Sequence, residues 1–499
     1  MTATRPTPRA SLPLAQQLRR RKPLADPRGG SHAGPELARS IGVFQLTMFG
    51  VGATVGTGIF FVLQEAVPDA GPAVVVAFLV AGVAAGLSAV CYAELASAIP
   101  VSGSTYSYAY HGLGELVAMF VAACVLLEYG VSSAAVAVGW SGYFNELLLN
   151  TVGWQIPDAL SYSPIPFESN TTGLVNLPAM VLVAMCAVLL VRGASESALV
   201  NTVMVVIKLA VLVLFAVIAF TAFEGDRFDA FWAAGAAGVS AAAATIFFSF
   251  IGLDAVSTAG EEVKDPQRTL PRALMAALAV VVAIYVLVAV AGVGSQPLEE
   301  FSSEDQQSAG LSVILTNLTG STVPGTVLAA GAVISIFSVT LGTLYGQTRI
   351  LFAMGRDGML PKRFAEVHPR TLTPTFNTVV VAVVVALVAG FVPSDYLWDT
   401  VSIGTLCAFT VVAIGVLVLR RTQPDLHRPF RVPGYPVTPV LTVLACAYVA
   451  YGISPITWVI FAVWVAIVLG FYLLWGRHHA TLGRDPGRHE RAAADRGPS

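Results

Sequence analysis

Twelve long apolar runs dominate this chain and restrict what it can fold into. A membrane-spanning helix needs about 20 mostly apolar residues, and twelve of them would occupy about half of the 499 residues. Only 12% of the residues are charged, against about 25% in an average soluble domain, which excludes a soluble globular protein. We therefore predict an all-α polytopic membrane protein with 12 transmembrane helices. The runs lie near residues 42–67, 71–98, 113–141, 177–192, 199–222, 238–260, 272–295, 325–354, 377–392, 396–419, 436–452 and 454–475.

Lysine and arginine are distributed unevenly among the connections between these runs. If the N-terminus lies inside the cell, all but three of the 28 lysine and arginine residues fall in predicted cytoplasmic segments. Arg227 alone falls in an outer loop, whereas these loops carry many acids. Because short loops rich in Lys and Arg stay in the cytoplasm, we predict that both termini are cytoplasmic. The polar segments 1–39 and 476–499 are predicted to be a disordered arm and a tail, and the net charge of −2 does not indicate nucleic-acid binding.

The residue pattern does not indicate an enzyme, a cofactor or a metal site. The five cysteines lie in apolar runs without the spacing of a metal or redox pair. No lysine is followed by Ser or Thr, so the chain cannot form the phosphate-binding loop GxxxxGK[ST]. An intramembrane hydrolase would need a Ser, Asp or His pair at membrane depth, whereas Asp254 is the only aspartate well inside a predicted helix.

The first apolar run contains an unusual density of glycine. Gly50, Gly52, Gly56 and Gly58 lie in the sequence GVGATVGTGIF, although glycine in a helix interior costs about 1 kcal/mol relative to alanine. Close helix packing is one explanation, because small residues four apart let backbones approach. The other is an unwound segment whose backbone groups face a cavity. The N-terminus of a half-helix at that point would attract a carboxylate.

The sixth run contains a matching interruption. In ATIFFSFIGLDAVST, the residues Ser249, Gly252 and Asp254 interrupt an aromatic stretch near the middle of the span. Helices 1 and 6 take corresponding positions if helices 1–5 and 6–10 are two similar units of opposite orientation. We predict discontinuous helices 1 and 6 in a five-plus-five inverted repeat. Its units are residues 40–222 and 238–419, and residues 436–475 add helices 11 and 12.

We expect five ionisable residues to lie within the bilayer, namely Glu94, Glu128, Lys208, Asp254 and Arg349. Each costs about 2.5–3.5 kcal/mol if placed at the bilayer centre. Lys208 lies about nine residues into helix 5, close to the middle of the membrane. A buried amine there can bind and release a proton between two conformations, or it can be a structural lysine held by Glu128 or by backbone carbonyls. Glu128 and Asp254 suit either a proton path or structural pairing. Glu94 and Arg349 lie near cytoplasmic helix ends, where we expect them to snorkel or to form a gate-latching pair.

Five segments together make the chain resemble a known family. They are GVGATVGTGIF (50–60), YAELASAIPVSGSTYSYAY (92–110), EYGVSSAAVAVGWSGY (128–143), FFSFIGLDAVSTAGEEVKDPQRTLPRAL (247–274) and YGQTRILFAMGRDGMLP (345–361). They are similar to the amino acid, polyamine and organocation (APC) transporters, and within these to the cationic amino acid transporters (CAT) and their bacterial twelve-helix relatives. The resemblance implies the LeuT-like fold, which is a five-plus-five inverted repeat with two additional helices.

The resemblance also implies site residues. In such transporters the substrate carboxylate is held by backbone amides of a GTG turn, here Gly56, Thr57 and Gly58. The α-amino group is held by carbonyls of the two breaks, here Thr54, Phe248, Ser249 and Ile251. A lysine at the position of Lys208 is associated with proton coupling, and Glu128 and Asp254 match acidic positions of the same group.

These observations predict a secondary active transporter that imports amino acids across the plasma membrane by alternating access. We expect a proton gradient as its energy source, an amino acid as its small-molecule substrate and the lipid bilayer as its surroundings. No acid is placed to receive a cationic side chain, which slightly favours broad or neutral specificity. The alternatives are an amino acid exchanger that moves no proton, an amino acid sensor with little transport, and a pore, although a pore would need repeated polar rings.

Overall fold

The computed structural model describes residues 14–22, 41–99, 104–165, 173–192, 198–258, 263–302, 304–369, 371 and 373–484. This part of the chain is helical and contains no β-strand, apart from an isolated bridge between Ile41 and Val263. The helices are α1 (Leu14–Leu18), α2 (Val43–Thr54), α3 (Thr57–Ala70), α4 (Val74–Ala98), α5 (Ser104–Gly112), α6 (Glu115–Val152), α7 (Leu177–Val191), α8 (Ala198–Thr221), α9 (Gly235–Phe247), α10 (Ala255–Thr258), α11 (Pro266–Ser295), α12 (Glu304–Thr319), α13 (Thr322–Arg356), α14 (Thr375–Phe391), α15 (Ser394–Thr422), α16 (Val437–Tyr451), α17 (Pro455–Phe471), α18 (Arg477–His479) and α19 (Thr481–Arg484).

Eight helical segments of the described chain are long and apolar enough to cross a membrane. The protein is therefore an all-α polytopic membrane protein, as predicted. Shorter apolar helices fill the remaining predicted runs: α2 forms the first half of run 1, and α7, α14 and α16 fill runs 4, 9 and 11. The number of twelve complete spans stays a prediction.

Helices 1 and 6 are both interrupted where the sequence predicted a break. In helix 1, α2 ends at Thr54 and α3 begins at Thr57, so Val55 and Gly56 lie outside both helices. In helix 6, α9 is followed by a single 3₁₀ turn at Phe248–Phe250, and Ile251 is extended before α10 begins. Non-helical backbone at membrane depth is tolerated only where protein or a cavity satisfies it, and a contact between the two breaks provides such an environment.

Helices of the first half of the chain pack against their counterparts in the second half. α4 packs on α11, α6 on α13, α7 on α14 and α3 on α9. Contacts between helices that are not counterparts also occur in matching pairs. α2 of helix 1 contacts α11, and α9 of helix 6 contacts α4, which is the counterpart of α11. In the same way, α6 contacts α15, and its counterpart α13 contacts α8. Two similar units related by a pseudo-two-fold axis would produce this pattern. The division at residues 40–222 and 238–419 stays a prediction.

Two connections that we expected to be loops contain helices. α5 lies between runs 2 and 3 and packs on α6 and α15, and α12 lies between runs 7 and 8 and packs on α3 and α13. The hydroxyl of Tyr143 joins α12 to α3, since it accepts a bond from the N–H of Leu311 (3.2 Å) and donates one to the carbonyl of Phe60 (2.7 Å). α12 therefore covers α3 at the end of the protein that is predicted to face outward.

Glu94 is paired with a different residue from the one expected. Its buried carboxylate accepts a hydrogen bond from Nε of Arg420 at the end of α15 (2.9 Å), and Arg428 lies 3.5 Å from it. Arg349, the other residue of the expected pair, instead lies over the ring of Tyr345 at 4.7 Å. The Glu94 ion pair fastens the end of α4 to the end of α15.

Candidate functional site

The two interrupted helices contact each other at their breaks. Gly252 has a φ of +96°, and a Cβ atom there would lie 2.5 Å from the carbonyl oxygen of Ala53 near the end of α2. A Cβ atom at Gly58 in the first turn of α3 would lie 2.5 Å from Oγ and 2.7 Å from Cα of Ser249. Both positions therefore require glycine, because any side chain would separate the two breaks. The glycine-rich sequences serve this close approach.

The first amides of α3 form one end of the candidate site. Gly56 is the N-cap residue of α3, with φ −126° and ψ −148°, and Thr57 and Gly58 are the first two residues of the helix. The first N–H groups of a helix have no acceptor within it, and they carry the positive end of the helix dipole. Thr57 is fully buried, and its hydroxyl donates to the carbonyl of Val136 on α6 (3.3 Å). This end of the site can bind an anion.

Backbone carbonyls form the other end of the site. Thr54 closes α2, and Phe248, Ser249 and Ile251 follow α9; all four residues are buried. The hydroxyl of Tyr285 on α11 lies 3.1 Å from the carbonyl oxygen of Thr54 and 2.8 Å from that of Ser249. A carbonyl oxygen has two lone pairs, so each of these oxygens can accept a second donor. The structure thus brings two of the four predicted carbonyls, those of Thr54 and Ser249, to a tyrosine that our sequence analysis missed.

Two side chains of the second break also define the site. The hydroxyl of Ser249 is buried and has no hydrogen-bond partner among the described residues. Since this hydroxyl lies next to Gly58, a ligand held at the first turn of α3 would be within its reach. The ring of Phe248 meets that of Trp398 on α15 edge-on, with 4.3 Å between the centroids. This aromatic contact covers the break on the side of α15.

Lys208 lies at the broken end of helix 1. The side chain is fully buried, and Nζ donates to the carbonyl oxygens of Gly52 (2.9 Å) and Val55 (3.0 Å). Gly52 lies in the last turn of α2 and Val55 directly follows it, so both carbonyls lie where the helix dipole is negative. Of the partners considered for this lysine, backbone carbonyls hold it in the structure. Any change in its charge acts directly on the end of α2.

The second break also contains a buried acid, Asp254, and α6 contributes another, Glu128. The carboxylate of Asp254 is buried and accepts hydrogen bonds from Tyr129 on α6 (3.1 Å) and from Ser104 at the start of α5 (3.2 Å). The carboxylate of Glu128 is also buried, and neither of its oxygens has a hydrogen-bond partner among the described residues. No group of three or more His, Cys, Asp or Glu side chains suited to a metal ion occurs within the described residues.

The sequence of this chain is similar to a known protein family and to several individual proteins. The family described as amino acid permease matches residues 41–476. A methylthioribose transporter of Bacillus subtilis (strain 168) is 39% identical over 466 residues, which cover 93% of this chain and 99% of that protein. The branched-chain amino acid permease BcaP of the same organism is 40% identical over 465 residues, with the same coverage. The vacuolar cationic amino acid transporter 2 of Arabidopsis thaliana is 36% identical over 427 residues, 82% of this chain and 64% of that protein.

Proposed function

We propose, since this chain belongs to the amino acid permease family, that it is a secondary active transporter that imports amino acids together with protons. Members of this family are transporters of multi-pass membrane type rather than enzymes. The observation that carries the proposal is the contact between the two breaks, which brings the amide end of α3 next to the carbonyl ends of α2 and α9. The proposed location is the plasma membrane, with both termini in the cytoplasm.

The site complements the two charges that every amino acid carries. A substrate carboxylate would bind to the first amides of α3, at Gly56, Thr57 and Gly58. The substrate ammonium would bind to carbonyls of the two breaks, at the negative ends of α2 and α9. In this arrangement the protein recognises the substrate through backbone groups, as expected for a transporter whose broken helices cross at mid-membrane.

The names of the relatives do not select one substrate. The two Bacillus subtilis proteins are almost equally similar to this chain, yet one is named for methylthioribose and the other for branched-chain amino acids. A site made from opposite helix ends favours a zwitterion over an uncharged thiosugar. Apolar side chains surround the breaks: Val339 lies against Gly56, and Phe248 packs on Trp398. These contacts favour an amino acid with an uncharged side chain.

Alternating access would be provided by the inner halves of the two broken helices. Just before α2, the carbonyl of Ile41 accepts a bond from the N–H of Lys264, which follows α10 (2.9 Å). Further along, Gly50 of α2 lies against Val256 of α10. Because α2 and α10 are joined in this way, we propose that they move together against α6 and α13 when the cytoplasmic side opens. The reciprocal packing of the two halves of the chain supports the inverted repeat that this motion requires.

Protons would act on this motion through Lys208. The protonated amine holds the carbonyls of Gly52 and Val55, and loss of the proton would remove both a positive charge and part of its hydrogen bonding from the end of α2. The position of α2 and the protonation of Lys208 are therefore coupled. The buried acids Asp254, in the second break, and Glu128, on α6, are the proposed path of that proton to the cytoplasmic side.

The decisive experiment measures uptake of labelled compounds into proteoliposomes with and without an inward proton gradient. The panel contains neutral, branched-chain and cationic amino acids together with methylthioribose. We expect accumulation of neutral amino acids that increases with the proton gradient. Uptake that needs internal substrate and ignores the gradient would identify an exchanger, and tight binding without accumulation would identify a sensor. Uptake of methylthioribose alone would contradict the amino acid assignment.

We expect Tyr285→Phe to raise the KM for amino acid uptake roughly tenfold. The substitution removes the hydroxyl between the carbonyls of Thr54 and Ser249, and a buried carbonyl without its donor costs about 1–3 kcal/mol. The two breaks would then no longer be held in the geometry that binds the ammonium group. Initial rates of uptake at several substrate concentrations measure the effect.

The matched control for this variant is Tyr472→Phe. Tyr472 is also fully buried, and it donates to Glu115 (2.9 Å), far along the chain from both breaks. This control should lower thermal stability by a similar amount and leave the KM unchanged. If both variants raise the KM equally, the role of Tyr285 is general stability rather than positioning of the site.

A further inference from the structure

A short N-terminal segment is docked against helix ends that are predicted to face the cytoplasm. Residues 14–22 contain α1 and the basic sequence Arg19–Lys22. Nζ of Lys22 lies 2.8 Å from Oδ1 of Asp357, the residue that follows α13. The backbone N–H of Lys22 donates to the carbonyl of Tyr110 (3.1 Å), and Nδ1 of His111 lies 2.8 Å from the carbonyl oxygen of Lys22. Both the side chain and the backbone of Lys22 are therefore held by the protein.

The basic residues of this segment do not all have the same surroundings. Arg19 and Arg21 are exposed, whereas Arg20 and Lys22 are half-buried. Nε and Nη1 of Arg20 are buried and have no hydrogen-bond partner among the described residues. Arg20 and Lys22 are thus partly enclosed by the protein, whereas Arg19 and Arg21 face solvent. A segment attracted only by its general charge would not require this alternation.

Asp357 joins the segment to other parts of the fold. Its Oδ2 accepts a hydrogen bond from the hydroxyl of Tyr106 on α5 (3.1 Å), and its backbone carbonyl accepts one from the N–H of Thr481 (3.0 Å). Two residues earlier, at the start of α5, Ser104 donates to Asp254 in the break of helix 6 (3.2 Å). α5 is therefore attached to the candidate site through Ser104, to Asp357 at the end of α13 through Tyr106, and to Lys22 through its last turn.

We propose that residues 14–22 form an N-terminal latch that restrains opening of the cytoplasmic side by fastening α5 to Asp357. The inference rests on the proposed alternating access. When α10 moves away from α6 and α13, α5 must follow through the bond between Ser104 and Asp254. The latch opposes this movement because Lys22 and its backbone contacts tie α5 to the end of α13. Release of the latch lowers the barrier to opening and raises the rate of the transport cycle.

Lys22→Ala in the full-length protein tests the latch. The side chains of Lys22 and Asp357 are 37% and 9% exposed. Partly exposed ion pairs are weak, so we expect the loss of this pair to change the measured rates about two- to fivefold. We expect amide hydrogen exchange in residues 104–112 and in α2 to become faster by that factor, since exchange follows local opening. Substrate counterflow in proteoliposomes should accelerate by a similar factor. Lys22→Asp should accelerate hydrogen exchange and counterflow more than Lys22→Ala does, because it places a carboxylate against that of Asp357.

Arg21→Ala is the matched control. It removes the same charge from the same stretch of sequence, but the side chain is exposed, so exchange and counterflow should remain unchanged. Equal acceleration in Arg21→Ala would overturn the latch in favour of a general charge effect, and unchanged exchange in both Lys22 variants would overturn it outright. If the protein takes up no amino acid, the proposed function fails, while hydrogen exchange still decides whether the segment restrains α5 and α2.

Discussion

Replacing Gly58 with alanine should strongly weaken amino acid binding. The added Cβ atom would lie 2.5 Å from Oγ and 2.7 Å from Cα of Ser249. The first contact could be relieved by rotation of a hydroxyl, but the second is with the main chain of the other break. Overpacking of this kind costs about 1–3 kcal/mol, and we expect substrate affinity to fall roughly ten- to hundredfold as α3 and the second break separate.

Gly342→Ala on α13 is the control for this prediction. A Cβ atom there would meet no other atom within 4 Å, and the residue is exposed on the same bundle of helices. Alanine should be tolerated and should even stabilise the helix by about 1 kcal/mol. Binding of labelled substrate to purified protein measures both variants. Unchanged affinity in Gly58→Ala would mean that the first turn of α3 does not contact the substrate, and the glycines would then serve only helix packing.

The course of the membrane helices could be predicted because the bilayer leaves so few solutions. A long apolar segment must satisfy its backbone internally and therefore becomes a helix, and glycine or polar residues in its middle mark where that helix ends. Helix ends were less predictable. α6 was expected to end near residue 141 but continues to Val152, because polar residues end an apolar run without ending a helix that extends beyond the lipid. Gly153, with a φ of +72°, is the signal that marks the true end.

The helices outside the apolar runs could not be predicted by the same reasoning. α5 has the sequence STYSYAYHG, which has neither an apolar run nor a helical period, and its helix is stabilised by packing on α6 and α15. Tyr285 shows the same limit within the site. The chain has 14 tyrosines, and only the packing of α11 against both breaks distinguishes this one. Backbone geometry at Gly56 and Gly58 was accessible from the sequence, whereas the side chains that hold it depend on tertiary contacts.

Replacing Lys208 with alanine should abolish the stimulation of uptake by an inward proton gradient. The variant removes the amine that donates to the carbonyls of Gly52 and Val55, and α2 would lose the group that links its position to a proton. Two carbonyls left without their donor cost about 1–3 kcal/mol each, so lower thermal stability alone would not establish a role in coupling. The measured quantity is the ratio of uptake with and without the gradient, which we expect to fall to that of a protein with no coupling.

Lys208→Arg separates proton coupling from support of the helix end. A guanidinium can donate to the same carbonyls, but it stays charged at all accessible pH values. If Lys208 carries the proton, this variant should exchange amino acids across the membrane and still ignore the gradient. If the lysine only supports α2, arginine should restore gradient-driven uptake. Lys264→Ala, which removes an exposed lysine outside the apolar runs, should leave coupling intact. Gradient-driven uptake that survives in Lys208→Ala would contradict the coupling role, because the amine that is proposed to bind the proton is absent from this variant.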